Sequence, residues 1–213
     1  MLAEAYRDLK YLLNRGYRKS YALDFVANHY RLSLEERHLL ARCVFPDSWI
    51  EDVKQKLLSP RELRGKTLAI DGFNVLITLE SLLDGKAILC EDSLVRDLKY
   101  QGKYRLNERT QGLIESVVEL LNDLGVERAL FFYGKNVPKS GLVKGLTEKA
   151  LEEWKVRGEA RLVKSPDFEL KRFELVASAD VGIVVQARSV FDIPQELGRR
   201  MGLRPIEVLS LFS

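Results

Sequence analysis

Cysteine, histidine and methionine are each present only twice in this 213-residue chain. Cys43 and Cys90 stand in apolar contexts without a Cys-x-x-Cys partner, so neither a disulfide framework nor a zinc site is expected. His29 and His38 fall at helical spacing with no acidic third partner in pattern, which gives them structural roles. No apolar run approaches the ~20 residues of a membrane span, and Met1 to Lys10 already carries charges of both signs. Membrane insertion and secretion are therefore not expected, and the cytoplasm is the simplest compartment. The phosphate-binding glycine signatures are also missing, since neither Gly-x-x-x-x-Gly-Lys-Ser/Thr nor a Gly-x-Gly-x-x-Gly after the first strand occurs. Only six Asn and five Gln accompany abundant Lys, Arg and Glu, a bias seen in proteins from hot environments.

What the chain does have is enough apolar material, 46%, for one good core and a second small one. Its 34 basic and 31 acidic residues nearly balance, but their distribution does not. Residues 1–66 hold 13 Lys/Arg against 9 Asp/Glu, whereas residues 67–213 hold 21 against 22. A basic first third beside a slightly acidic remainder suits a protein that grips a polyanion with one part and holds cations with the other.

Apolar residues recur at helical spacing through the first ~60 positions. They predict helices over about 2–13, 20–30, 34–43 and from Pro46 to about Leu58, with Ser33-Leu34-Glu35-Glu36 as a capping box. From Thr67 onward short apolar runs alternate with longer amphipathic stretches, the mark of β-α units with a parallel sheet and helices on both faces. The expected organisation is a helical accessory domain over 1–62 and an α/β domain over 66–213. Strands are expected at 67–71, 127–133, 159–164 and 174–178. Helices are expected at about 73–83, 107–124, 138–156, 181–188 and 194–202. Ala87 to Cys90 is a further short strand, and Glu91 to Arg105 reads as a loop.

Three strands in this pattern run into a carboxylate: Asp71 after Leu68-Ala69-Ile70, Asp167 after Arg161 to Lys164, and Asp180 after Leu175 to Ser178. In a parallel sheet these ends lie along one edge, where open α/β folds bind ligands. Carboxylates brought that close need a divalent cation, or one must keep its proton. Asp92, or its neighbour Glu91, is the candidate fourth ligand. Oxygen ligands without His or Cys select Mg2+ or Mn2+. Taken singly, Asp180 also fits a helix N-cap and Asp167 a turn after Pro166.

Ile70-Asp71-Gly72-Phe73-Asn74-Val75 resembles the first motif of the PIN/NYN-like nuclease superfamily, which pairs a strand-end aspartate with a nearby asparagine. Ala177-Ser178-Ala179-Asp180 is similar to the superfamily's late Ser/Thr-x-Asp motif, and Ser165-Pro166-Asp167 stands where its third acidic group falls. The resemblance covers roughly residues 66–192; the helical N-terminal part lies outside it and looks like the accessory domain of uncharacterised archaeal members. It implies a PIN-like α/β fold and a magnesium- or manganese-dependent endoribonuclease. Asp71, Asn74, Asp167 and Asp180 would be catalytic, and Asp71, Asp92, Asp167 and Asp180 would be metal ligands. The sequence departs from the superfamily between Phe73 and Leu83, where only Glu80 is acidic. A non-catalytic RNA-binding or scaffold protein is the alternative. A haloacid-dehalogenase-type phosphatase is excluded, because Phe73 stands where that chemistry needs a second carboxylate.

Lys135, Lys139 and Ser140 follow the second main strand and open a helix at the same edge, which makes them candidate phosphate contacts. Ser178 is a further candidate for holding a ligand or phosphate, though a strand-end serine more often satisfies backbone. Asn74 is either a group aimed at the metal water or a solvent-facing residue of the first helical turn. The stretch Arg96, Lys99, Tyr100, Lys103, Tyr104, Arg105 interleaves cations with aromatic rings, as single-stranded nucleic acid binders do, and the cluster Arg15, Tyr17, Arg18, Lys19 repeats the theme. Solvated surface is the other reading of both. RNA is the expected partner, and a homodimer is left open.

Overall fold

The computed structural model describes residues 1–98 and 104–212. Four helices come first: α1 (Leu2–Asn14), α2 (Lys19–His29), α3 (Leu34–Cys43) and α4 (Asp47–Lys56). The capping box forms as its spacing predicts. Ser33 Oγ accepts from the Glu36 N–H at 3.3 Å, and Glu36 Oε2 accepts from the Ser33 N–H at 2.7 Å.

A 3-10 turn at Pro60–Leu63 leads into β1 (Thr67–Asp71), α5 (Gly72–Leu83), β2 (Ile88–Leu89) and β3 (Val95–Arg96). Then follow α6 (Thr110–Asp123), β4 (Arg128–Gly134), α7 (Ser140–Glu153), β5 (Gly158–Val163), α8 (Pro166–Leu170) and β6 (Leu175–Ala177). The chain closes with α9 (Val181–Val184), β7 (Ser189–Val190), α10 (Ile193–Met201), β8 (Ile206–Glu207) and a second 3-10 turn, Val208–Phe212.

Five strands form a parallel sheet in the order β5-β4-β1-β6-β7. The chain builds outward from β1 through β4 to β5, then returns to lay β6 and β7 on the other side. The order thus reverses between β1 and β6, the point where open α/β sheets leave a crevice at their carboxyl ends. Register places Ile70 beside Ala177, so Asp71 and Ser178 emerge together.

Alternation along the strands divides the core between the two faces. Leu68, Ile70, Phe131 and Tyr133 pack under α5, α6, α7 and α10, while Ala69, Leu130, Phe132 and Val176 pack against Val53 of α4, Leu170 of α8 and Ile183 of α9. The fold is α/β with helices on both faces and an all-helical segment before it.

The short elements differ most from the sequence expectation. Residues 88–89 are a strand, but in a separate three-stranded sheet, β3-β2-β8, rather than the main one. Glu91 to Arg105 is not wholly loop, because β3 pairs antiparallel with β2. Two-residue strands show no periodicity for a sequence pattern to catch.

Cys43 and Cys90 correct a second expectation. They are joined as a disulfide with Cα atoms 4.4 Å apart across a 47-residue separation. The end of α3 packs on β2, and a shared cluster contains Leu9, Leu40, Ile88, Cys90 and Phe212. Glu91 reinforces that junction: its carboxylate accepts from Tyr6 Oη at 2.7 Å, the Phe45 N–H at 2.8 Å and Lys10 Nζ at 3.2 Å. Among the described residues no helix is long and apolar enough to cross a membrane.

Candidate functional site

Asp71 is the last residue of β1, and Gly72 opens α5 directly after it. A Cβ at Gly72 would lie 2.1 Å from Tyr133 Cε1, so the ring can approach this turn only if position 72 is glycine. Tyr133 is held in place by a 2.8 Å hydrogen bond between its hydroxyl and Thr147 Oγ1. The Asp-Gly pair therefore serves packing as well as turn geometry.

Across the crevice, Ser178 Oγ donates to Asp71 Oδ2 at 3.0 Å and accepts from the Asp180 N–H at 3.2 Å. Asn74 Oδ1 accepts from the Ala179 N–H at 3.2 Å. Asn74, half-buried, thus ties the first turn of α5 to the segment after β6. Asp180 caps α9, its Oδ1 accepting from the Ile183 N–H at 3.1 Å. Asp167 lies in the first turn of α8, whose N-cap Ser165 accepts from the Phe168 N–H. The turn expected after Pro166 is a short helix.

Burial pushes the Asp71 carboxyl up to about 7. The negative charges of Asp167 and Asp180 add to that shift, and hydrogen bonding from Ser178 and the Asn74 backbone opposes it. A buried carboxylate beside two others either keeps a proton near neutrality or takes a cation as neighbour. Asp71, Asp167 and Asp180 are all hard oxygen donors of the kind Mg2+ and Mn2+ prefer. Among the described residues, however, no three acidic, His or Cys groups come together closely enough to form a ready-made metal cluster. Asp167 and Asp180 are exposed, and both lie near enough for their charges to act on Asp71.

The structure does not bring Asp92 to this cluster. Its oxygens accept from Arg96 Nη1 at 2.6 Å and Nη2 at 2.7 Å, and Trp49 Nε1 donates to Oδ2 at 2.9 Å. Burial favours this bidentate pairing of carboxylate and guanidinium. Glu91 is bound to α1 and Phe45, so neither residue supplies the fourth ligand. Arg96 also donates from Nε to the Ala179 carbonyl at 3.0 Å, which clamps β3 to the site edge.

Arg96 therefore points inward, and so does Tyr104, stacked on Phe73 at 5.4 Å and bonded to Thr110. Lys99, Tyr100 and Lys103 of the same basic-aromatic stretch lie outside the described residues. Lys135 and Lys139 are exposed on the β4–α7 turn, whereas Ser140 is buried with its hydroxyl 3.5 Å from the Lys135 carbonyl. That turn flanks α8, since a Cβ at Gly134 would lie 3.7 Å from Pro166.

Several neighbours were not singled out by sequence. Phe168, next to Asp167, is 65% exposed. Lys171 Nζ and Asp180 Oδ1 both border Gly182. A cleft of about 130 Å3 opens beside Asn74 and Asp180, with Arg42 and Asp97 in its wall. Arg42 Nη1 donates to the Asp97 carboxylate at 3.1 Å. A sequence shows the type of each residue but not the α3 packing that delivers Arg42 here. A cavity of about 530 Å3 between α10 and the segment 57–60 includes neither Asp71 nor Asp180.

Residues 60–196, which carry every residue of this cluster, match the family described as a domain of unknown function, DUF5616. The chain belongs to that family. Residues 1–56, the four helices, match a second family described as a protein of unknown function, DUF434. An uncharacterized protein of Methanocaldococcus jannaschii is 39% identical over 191 residues, covering 89% of this chain and 91% of its own. No solved structure matches the chain. The DUF5616 segment thus supplies the sheet edge, and the DUF434 segment packs against it through Glu91, Asp92 and the Cys43–Cys90 bridge.

Proposed function

We propose that this chain is a magnesium- or manganese-dependent ribonuclease that cleaves RNA at the carboxyl edge of the β1–β6 crevice. The observation that carries the reading is Asp71: a buried carboxylate at the topological switch point, bonded to Ser178 and flanked by the charges of Asp167 and Asp180. The resemblance of Ile70 to Val75 and of Ala177 to Asp180 to PIN/NYN-like motifs supports the same chemistry. Asp71, Asp167 and Asp180 would hold the cation, which when bound supplies an activated water and positive charge against a phosphoryl oxygen. Ser178 orients Asp71, and Asn74 fixes the α5 terminus against the Ala179 segment. Lys135 and Lys139 stand where they can meet flanking phosphates.

Asp92 is committed to Arg96 and Trp49 and Glu91 to Tyr6 and Phe45, which leaves neither for a cation and favours a second reading, an RNA-binding or scaffold protein without hydrolysis. The two differ in one assay. Incubation of labelled RNA with Mn2+ gives cleavage that disappears in Asp71→Asn under the first reading. Intact RNA with both proteins supports the second.

A further inference from the structure

Exposed aromatic side chains are concentrated in one stretch of the chain. Among the described residues, five aromatic rings are strongly exposed, and four of them, Tyr11, Tyr17, Tyr21 and Phe25, fall within fifteen positions of one another. Tyr21 and Phe25 are 68% and 69% exposed and sit one turn apart on α2, with His29 a turn further on and stacked against Phe25. The opposite side of α2 buries Ala22, Val26 and Ala27 in the helical core. Packing of α2 is therefore complete without these rings, and their exposure is not a requirement of the fold.

The surrounding charge is positive. Residues 11–31 contain Arg15, Arg18, Lys19 and Arg31 against the single acidic residue Asp24. Lys19 turns inward, its Nζ lying 3.8 Å from the centroid of the Phe45 ring. Arg15, Arg18 and Arg31 form no ion pair with a carboxylate among the described residues, whereas Arg42, Arg96, Arg128 and Arg161 each do. Arg15 instead lies over the Tyr11 ring, Cζ 5.3 Å from its centroid. Aromatic faces set among unpaired guanidinium groups match the two components of a single strand, flat bases and a phosphate at every step. A protein partner would need an acidic surface to answer the same cations.

The face is also connected to the candidate site. Lys19, in the first turn of α2, shares the Phe45 ring with Arg96, whose Cζ lies 5.0 Å from the centroid. Arg96 in turn donates to Ala179, the neighbour of Asp180.

We infer that the exposed face of α2 is a docking surface for single-stranded nucleic acid, on which bases stack against Tyr21 and Phe25 while Arg15, Arg18 and Arg31 pair with phosphates. Docking here requires no metal. It deepens the ribonuclease reading by naming a single-stranded substrate, yet it holds whether or not the sheet edge hydrolyses RNA.

The test is fluorescence anisotropy of a labelled oligouridine of about 16 nucleotides, a span in the range that single-strand binders cover. It is run in EDTA with wild type, Asp71→Asn, Arg18→Glu and the double variant Tyr21→Ala/Phe25→Ala. Arg18, just before α2, and Tyr21 and Phe25 on it are exposed, so the variants should keep the wild-type melting temperature. Wild type and Asp71→Asn should bind alike, and the double variant should bind roughly 10- to 100-fold more weakly, as loss of base stacking predicts. Arg18→Glu should also bind more weakly, with a shallower salt dependence. Equal binding by the double variant and wild type, or no binding by wild type, would overturn the inference. A wild-type dimer in sedimentation that the double variant dissociates would overturn it too, because the face would then be a self-interface. If cleavage is absent while the α2 dependence of binding persists, the hydrolytic reading fails and this one stands.

Discussion

The Ser178 hydroxyl reaches across 107 residues of sequence to donate a 3.0 Å hydrogen bond to the buried carboxylate of Asp71. The contact joins the ends of β1 and β6, the two strands between which the sheet order reverses. Removing the donor leaves the carboxylate with less stabilisation of its charged form. In Ser178→Ala, Asp71 should titrate higher than its wild-type value of about 7, by roughly one pH unit if the charge-assisted bond contributes about 1.5 kcal/mol. Carboxyl-carbon NMR across a pH series measures this, and an unchanged midpoint would show that the hydroxyl does not tune Asp71.

The same carboxyl makes apo-protein stability depend on pH in a definite direction. Its folded pKa lies above the unfolded value, so the contribution to stability is full below about 4 and is lost as pH rises toward 7. Asp71→Asn removes the ionisable group. In EDTA the variant should melt higher than wild type at pH 8, and the difference should shrink toward pH 4. A variant that melts lower at pH 8 would mean that the charged carboxylate is already compensated in the apo-protein.

Asp92 provides a contrast, because its carboxylate is committed to Arg96 and Trp49. Asp92→Ala strands a buried guanidinium and should destabilise the fold by about 3–5 kcal/mol in denaturant titration. Manganese affinity of the folded fraction should be unchanged. Loss of that affinity with little change in stability would return Asp92 to the ligand set.

The Cys43–Cys90 bridge closes a long loop between α3 and β2. Cys43→Ser should lower unfolding free energy by about 2–4 kcal/mol, mainly by freeing the unfolded chain. Equal stabilities of the oxidised wild type and the serine variant would contradict a structural role for the bridge.

These residues also show where sequence reading succeeds and where it stops. Helices α1 to α4, β1 and β4 lie within a residue or two of their expected bounds, because long periodic segments and caps such as Ser33 are local signals. The placement of Asp71 and Asp180 at one sheet edge was legible for the same reason, since strand ends in a parallel sheet share an edge. Asp92 was misread because a carboxylate beside a short strand looks the same whether it faces a metal or an arginine four residues on. The disulfide was not legible, since 47 residues of spacing say nothing of how α3 meets β2. Arg42 and Asp97 beside Asn74 belong to the same class of non-local contact.

The most direct measurement is calorimetric titration of Mn2+ into wild type and Asp71→Asn at pH 7.5. Saturable binding by wild type that is lost in the variant is the result predicted for a cation held by Asp71, Asp167 and Asp180. Absence of binding by wild type, both alone and with an uncleavable RNA analogue bound, would contradict a metal-dependent site at this sheet edge.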